Sequence, residues 1–328
     1  LNAVVALDSD APLSAAEAAL RSGHEDVRVR GLDRLVKLGA KAEGAEGLLG
    51  DALEDESAKV RGEAFRTLWA WNDQEPVKAL DRALAGRFPD LRTRAVEVLA
   101  QKGTDDWALE RLKKSVDDRD AGVATAAYEA WVKLAGKEKP EPHLAALNTP
   151  HPALREKAAK AAVHAPAEAM RSALLKRVQD EHLDVAFAAL ESLDKLIPNE
   201  NGPLLAGIAA TALPVRVRAA ELLAPRGAED IIEPMRGLIT DKDLERMYPP
   251  GFLVPLRIRA SRALATLGSR RLLGFYATTL LPNELTDLQE QGARGLGHRE
   301  PPGRRGRAAG VRWPLAGGGA SWAADARA

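Results

Sequence analysis

The sequence predicts an all-α fold, an α-solenoid of stacked antiparallel helical hairpins coiled as a right-handed superhelix, with about eight full repeats and a truncated ninth. Three observations point there. A thirteen-residue pattern returns eight times, starting at Val27, Val60, Leu91, Val123, Leu154, Val185, Val215 and Leu256, at spacings of 33, 31, 32, 31, 31, 30 and 41 residues. Its apolar and small residues stand at offsets 0, 4, 7, 8 and 11, which at about 100° per residue fall on one stripe of a helix. Hydrophobic residues make up 45% of the chain but aromatic ones only 4%, the balance expected where alanine and leucine hold helices close together.

Residues 1–11 read as a lead-in, and Ser14 with Glu17 as a capping box that opens the first hairpin. Ahead of each patterned helix lies a shorter apolar-periodic segment, such as Val77, Leu80, Ala83 and Leu84, or Trp107, Leu109, Leu112 and Val116. Each repeat is therefore a hairpin. Proline marks helix starts, at Pro89, Pro152, Pro214 and Pro255 before the patterned helices and at Pro76 and Pro142 before the shorter ones. Pro234, inside an apolar segment, is expected to kink or delay its helix. Offset four carries Gly31, Ala64, Ala95, Ala127, Ala158, Ala189, Ala219 and Ala260. A position that never exceeds alanine is where a neighbouring helix comes close.

The eighth copy shows the motif whole, as Leu256-Arg257-Ile258-Arg259-Ala260-Ser261-Arg262-Ala263-Leu264-Ala265-Thr266-Leu267-Gly268, with Gly268 as the helix stop. In this motif the chain resembles the HEAT-repeat family in its short bacterial form, and is similar to the repeats of phycobilisome-lyase-like proteins. The resemblance covers roughly residues 12 to 297 and implies an architecture more than an activity, since the family includes scaffolds, nucleic-acid enzymes and bilin-handling proteins.

Arginine occupies offset one in six copies, as Arg28, Arg61, Arg92, Arg155, Arg216 and Arg257. Such a ladder could bind phosphate. On a helical wheel, however, offset one lies at about 100°, between apolar offsets eight and five. These guanidinium groups are thus expected inside the seam between repeats, paired with turn acids such as Glu56, Asp90 and Asp120. The family resemblance implies the same structural role.

Offsets two, three, six, nine and ten face away from that seam. Arg30 with Asp33, Glu63 with Arg66, Arg94 with Glu97 and Arg218 with Glu221 make that face mixed in sign. Large apolar residues recur on it at Trp69, Val132, Phe187, Val217 and Ile258. Between copies seven and eight an insertion adds Tyr248 and Phe252 on a proline-stiffened loop. These seven residues are the expected partner-binding surface.

No catalytic residue stands out. The chain has no cysteine, which excludes disulfides, thiolate metal sites and thiol nucleophiles. His24, His151 and His182 share one place in their repeats and read as polar turn positions, and no metal site or cofactor is expected. No apolar run approaches the length of a membrane span, and a cytoplasmic protein is expected. The chain begins at leucine, as a fragment of a longer protein would.

From Arg294 onward, seven arginines face two acids, a net +5, while the body carries forty basic and forty-five acidic residues, a net −5. Leu288, Gly292, Gly295 and Leu296 still keep the register of a ninth copy. Residues 298–328, rich in Arg, Gly, Ala and Pro, read as a disordered tail or as the product of a shifted reading frame. The function expected from all of this is a non-catalytic scaffold that binds a protein partner on the exposed face, with no specific nucleic acid and no membrane. A HEAT-like alkylpurine DNA glycosylase and a phycobilin-lyase-like chaperone are the alternatives.

Overall fold

A computed structural model describes residues 12–71, 76–102 and 105–297. The lead-in at 1–11 and the tail at 298–328 lie outside them. Every regular element among the described residues is helical. The first unit, ending at Arg155, holds α1 (Pro12–Leu20), α2 (Glu25–Leu38), α3 (Ala45–Ala52), α4 (Ala58–Trp71), α5 (Pro76–Ala85), α6 (Pro89–Gln101), α7 (Asp106–Ser115), α8 (Ala121–Ala135) and α9 (Pro140–Leu147). The boundary falls within α10 (Pro152–Ala161). The second unit then holds α11 (Ala167–Arg177), α12 (Leu183–Leu196), α13 (Gly202–Ile208), α14 (Leu213–Leu223), α15 (Ile232–Thr240), α16 (Asp243–Met247), α17 (Pro250–Leu267), α18 (Leu273–Phe275) and α19 (Thr286–Gly295).

All eight copies of the pattern, and the ninth at Leu288, fall on the second helix of a hairpin. In the first unit α2, α4 and α6 pack each on its own shorter partner and on the next patterned helix, and α8 packs on α6, α7 and α9. In the second unit α12, α14 and α17 do the same, and α19 packs on α17. The core is this row of neighbour contacts. Offsets four, five and eight are buried in every copy, for example Ala64, Phe65 and Leu68 in α4.

The small residue at offset four meets the shorter helix of its own hairpin. A Cβ on Gly31 would stand 3.1 Å from Ala19 Cβ in α1, and one on Gly207 in α13 would stand 2.7 Å from Ala219 Cβ. Gly207→Ala is therefore expected to lower the melting temperature through overpacking of about 1–3 kcal/mol. An unchanged melt would mean that the hairpin is loosely closed.

Helix ends follow the sequence at most positions. Pro89 and Pro152 begin their helices, and Gly268 closes α17 at φ 64° with its N–H on Leu264 O. Pro234 sits in the first turn of α15, after a 3₁₀ turn at Glu229–Ile231, so it delays the helix without kinking it. Two expectations fail. Ser14 lies inside α1, which already starts at Pro12, so no capping box opens it. Pro255 lies inside α17, because the inserted residues extend that helix back to Pro250.

One buried polar pair was not foreseen. Tyr128 Oη in α8 and His143 Nδ1 share a hydrogen bond of 2.9 Å, and His143 Nε2 donates to Lys137 O at 2.8 Å. His143 is fully buried, and burial pushes the Tyr128 phenol up to about 12. A phenol held above its ordinary value of 10 contributes stability below pH 10 that is lost as the pH climbs towards 12. Tyr128→Phe is expected to cost about 1–3 kcal/mol at neutral pH by leaving a buried ring nitrogen unpaired. A melting curve that matches the wild type would contradict that pairing.

Candidate functional site

The offset-one arginines share one pattern of burial and hydrogen bonding to the turns. Arg28, Arg61, Arg92 and Arg155 are at most 6% exposed, and Arg216 and Arg257 are half-buried. Arg28, Arg61, Arg92, Arg155 and Arg216 each donate to the carbonyl six residues upstream, on Ser22, Asp55, Gly86, Thr149 and Ala210. Each thereby ties down the turn that leads into its own helix. In the first unit the acid comes from the next repeat. Arg61 grips Asp90 with Nε and Nη2 at 3.2 and 2.7 Å, and Arg92 grips Asp118 at 2.8 and 2.9 Å. Arg28 Nε lies 2.8 Å from Asp55, with Glu56 more distant at 3.4 Å. Asp120, expected as a partner, instead caps α8 by accepting from Gly122 N and Val123 N. Arg257 reaches Glu245 in the insertion at 2.6 Å.

Two further features of this system were not read in the sequence. The Arg61 guanidinium stacks on Phe88, 3.8 Å from the ring centroid. Of the turn histidines, His24 and His182 occupy the N-cap positions of α2 and α12, and His151 Nε2 donates to Asp118 O at 2.7 Å.

Of the seven residues expected on the partner surface, Val217 is fully buried and is removed from it. Helix α14 is packed by α12, α13 and α17, which leaves no solvent side at offset two. Trp69, Val132, Phe187, Ile258 and Tyr248 are half-buried, and Phe252 is exposed. In the second unit Tyr248 and Phe252 stack at 5.2 Å between ring centroids beside the exposed Met247. The inserted segment is helical, in α16 and the first turn of α17, and is pinned by buried Leu244 and Leu253.

Trp69 lines a concavity on the first unit. In the first unit a groove of about 320 Å³ runs between α4 and α6, lined by Gly62, Phe65, Trp69 and Val98 and rimmed by charged side chains that include Arg94 and Glu97. Lys102 Nζ stands 5.0 Å from the indole centroid. Offset two of α4, on the lining of this groove, is Gly62. Without a Cβ at Gly62 the Arg94 guanidinium lies across the helix, 3.1 Å from where that atom would be.

The family model for HEAT repeats matches residues 45–131, so α3 to α8 are HEAT repeats by sequence as well as by form. No curated protein matches the sequence. Among solved structures the chain is similar to the YibA protein of Escherichia coli, at 16% identity and a TM-score of 0.42, over 85% of this chain and 99% of that one. It is also similar to human deoxyhypusine hydroxylase, at 21% and 0.32 over 87% and 93%. For the CpcE and CpcF complex of phycocyanin lyase from Nostoc the values are 20% and 0.26 over 87% and 93%. At such identities and scores these likenesses carry no functional argument. No described helix is long and apolar enough to cross a membrane.

Proposed function

We propose that the chain is a non-catalytic scaffold that binds a protein partner on the outward face of its patterned helices. The observation that carries this reading is the groove between α4 and α6, where an indole is left half-buried at the centre of a charged rim. A large amphipathic ring in a desolvated pocket with a polar surround is the usual composition of a binding hot spot. Phe187 and Ile258 on the patterned helices of the second unit, and the stacked Tyr248 and Phe252, offer further apolar contact area.

Trp69→Ala and Phe187→Ala, assayed by affinity capture and mass spectrometry, are the test. Capture of one specific protein is expected to fall about tenfold or more while helicity and melting stay near wild type. Unchanged capture, or unfolding of both variants, would end the reading. Duplex DNA is expected to bind weakly and without sequence preference, because the repeat body is net acidic and its outward charges alternate. Affinity tighter than about 10⁻⁷ M at physiological salt, on protein lacking residues 298–328, would favour a nucleic-acid function instead.

A further inference from the structure

In the second unit two outward arginines are neutralised between neighbouring repeats. Arg218, at offset three of its copy, pairs with Glu191 at offset six of the copy before, at 2.7 Å. Arg259, again at offset three, takes Glu221 at offset six of the preceding copy with two bonds of 2.7 and 2.8 Å. A ladder of alternating sign, Glu191, Arg218, Glu221 and Arg259, thus runs across α12, α14 and α17 and satisfies itself.

In the first unit the third copy departs from this arrangement. Arg94 holds offset three of the third copy, but offset six of the copy before it is Arg66, a like charge, which pairs with Glu63 on its own helix. Arg94 therefore has no carboxylate partner among the described residues. Lys59 also has none, and Lys102 faces only the Trp69 ring. Against Arg94 and Lys59 in its lining, with Lys102 over the Trp69 ring beside them, the groove offers one unengaged carboxylate, Glu97. The apolar floor of the groove thus sits under a local excess of positive charge, in a body that is net acidic.

We propose that the α4–α6 groove binds an acidic peptide segment, seating one apolar side chain against Trp69 and Val98 while flanking carboxylates engage Arg94 and Lys59. This deepens the scaffold reading and rests on it. A phosphodiester chain fits less well, because a single indole offers one stacking place and the apolar floor at Phe65 and Val98 suits an aliphatic side chain.

The test is fluorescence polarisation with a labelled ten-residue glutamate peptide that carries one central leucine. The comparison probes are its lysine counterpart, an all-glutamate peptide and an oligothymidylate of equal length. The leucine-bearing acidic probe is expected to bind at roughly 10–100 μM, and to weaken as NaCl rises from about 50 to 500 mM. The other three are expected to bind at least about tenfold more weakly. Arg94→Glu is expected to abolish binding. Arg66→Glu, which installs the carboxylate that the second unit places opposite such an arginine, should abolish it too and leave melting unchanged or raised. Equal binding of the lysine peptide or the oligothymidylate, wild-type affinity in both charge variants, or no binding of the acidic probe by about 1 mM would each overturn the proposal. Capture of a partner that still depends on Trp69 would then leave the scaffold reading standing, so the two failures are told apart.

Discussion

Arg92→Ala is expected to destabilise the first unit by about 3–5 kcal/mol, the range for removing one partner of a buried ion pair. The side chain is 2% exposed and makes four hydrogen bonds, two to Asp118 and two to the carbonyls of Gly86 and Arg87. Its loss strands a carboxylate whose side chain is only 12% exposed, and removes the link between two consecutive turns. The reading is a fall in the urea midpoint of the far-UV signal, with Arg257→Ala, whose Glu245 partner is exposed, falling by less. Arg92→Lys should recover little, because an ammonium cannot reproduce the two parallel bonds. A midpoint within experimental error of the wild type would mean that the ladder is not structural.

Val217→Asp is expected to be of similar size, about 3 kcal/mol or more, because an ionised carboxylate would be placed where no water reaches. Leu213, Val215, Val217, Ala219, Ala220 and Leu223 are all buried, so α14 is enclosed on nearly every side. The variant should melt early and lose protease resistance in the second unit. Phe187→Ala, one repeat earlier at the same offset, should change stability much less because Phe187 is only half-buried. If both variants behaved alike, the enclosure of α14 would be disproved.

These two residues also separate what could be read early from what could not. Arg92 was placed in the seam by wheel angle alone, because an arginine between two apolar positions on a helix must follow them inward. Its partner was not readable, since Asp118 and Asp120 lie two residues apart in one turn and only the turn's path decides which accepts from arginine and which caps α8. Val217 was misplaced because a wheel describes one helix and one seam, whereas α14 has three neighbours. Trp69 was singled out for its apolar bulk at an outward offset, but nothing in the one-dimensional pattern showed that the Arg94 guanidinium would lie beside Gly62 on α4.

The sequence by itself determined the repeat, the hairpin, the buried stripe and the small residue at each close approach, because a packing face recurs with the period of the helix and stacking neighbours all make the same demand. Only the tertiary structure decided which charges are spent on one another and which stay open. Ion pairs between repeats depend on the distance between side chains some thirty residues apart, and a single change of sign at Arg66 passes through the pattern unnoticed until α4 and α6 are set side by side.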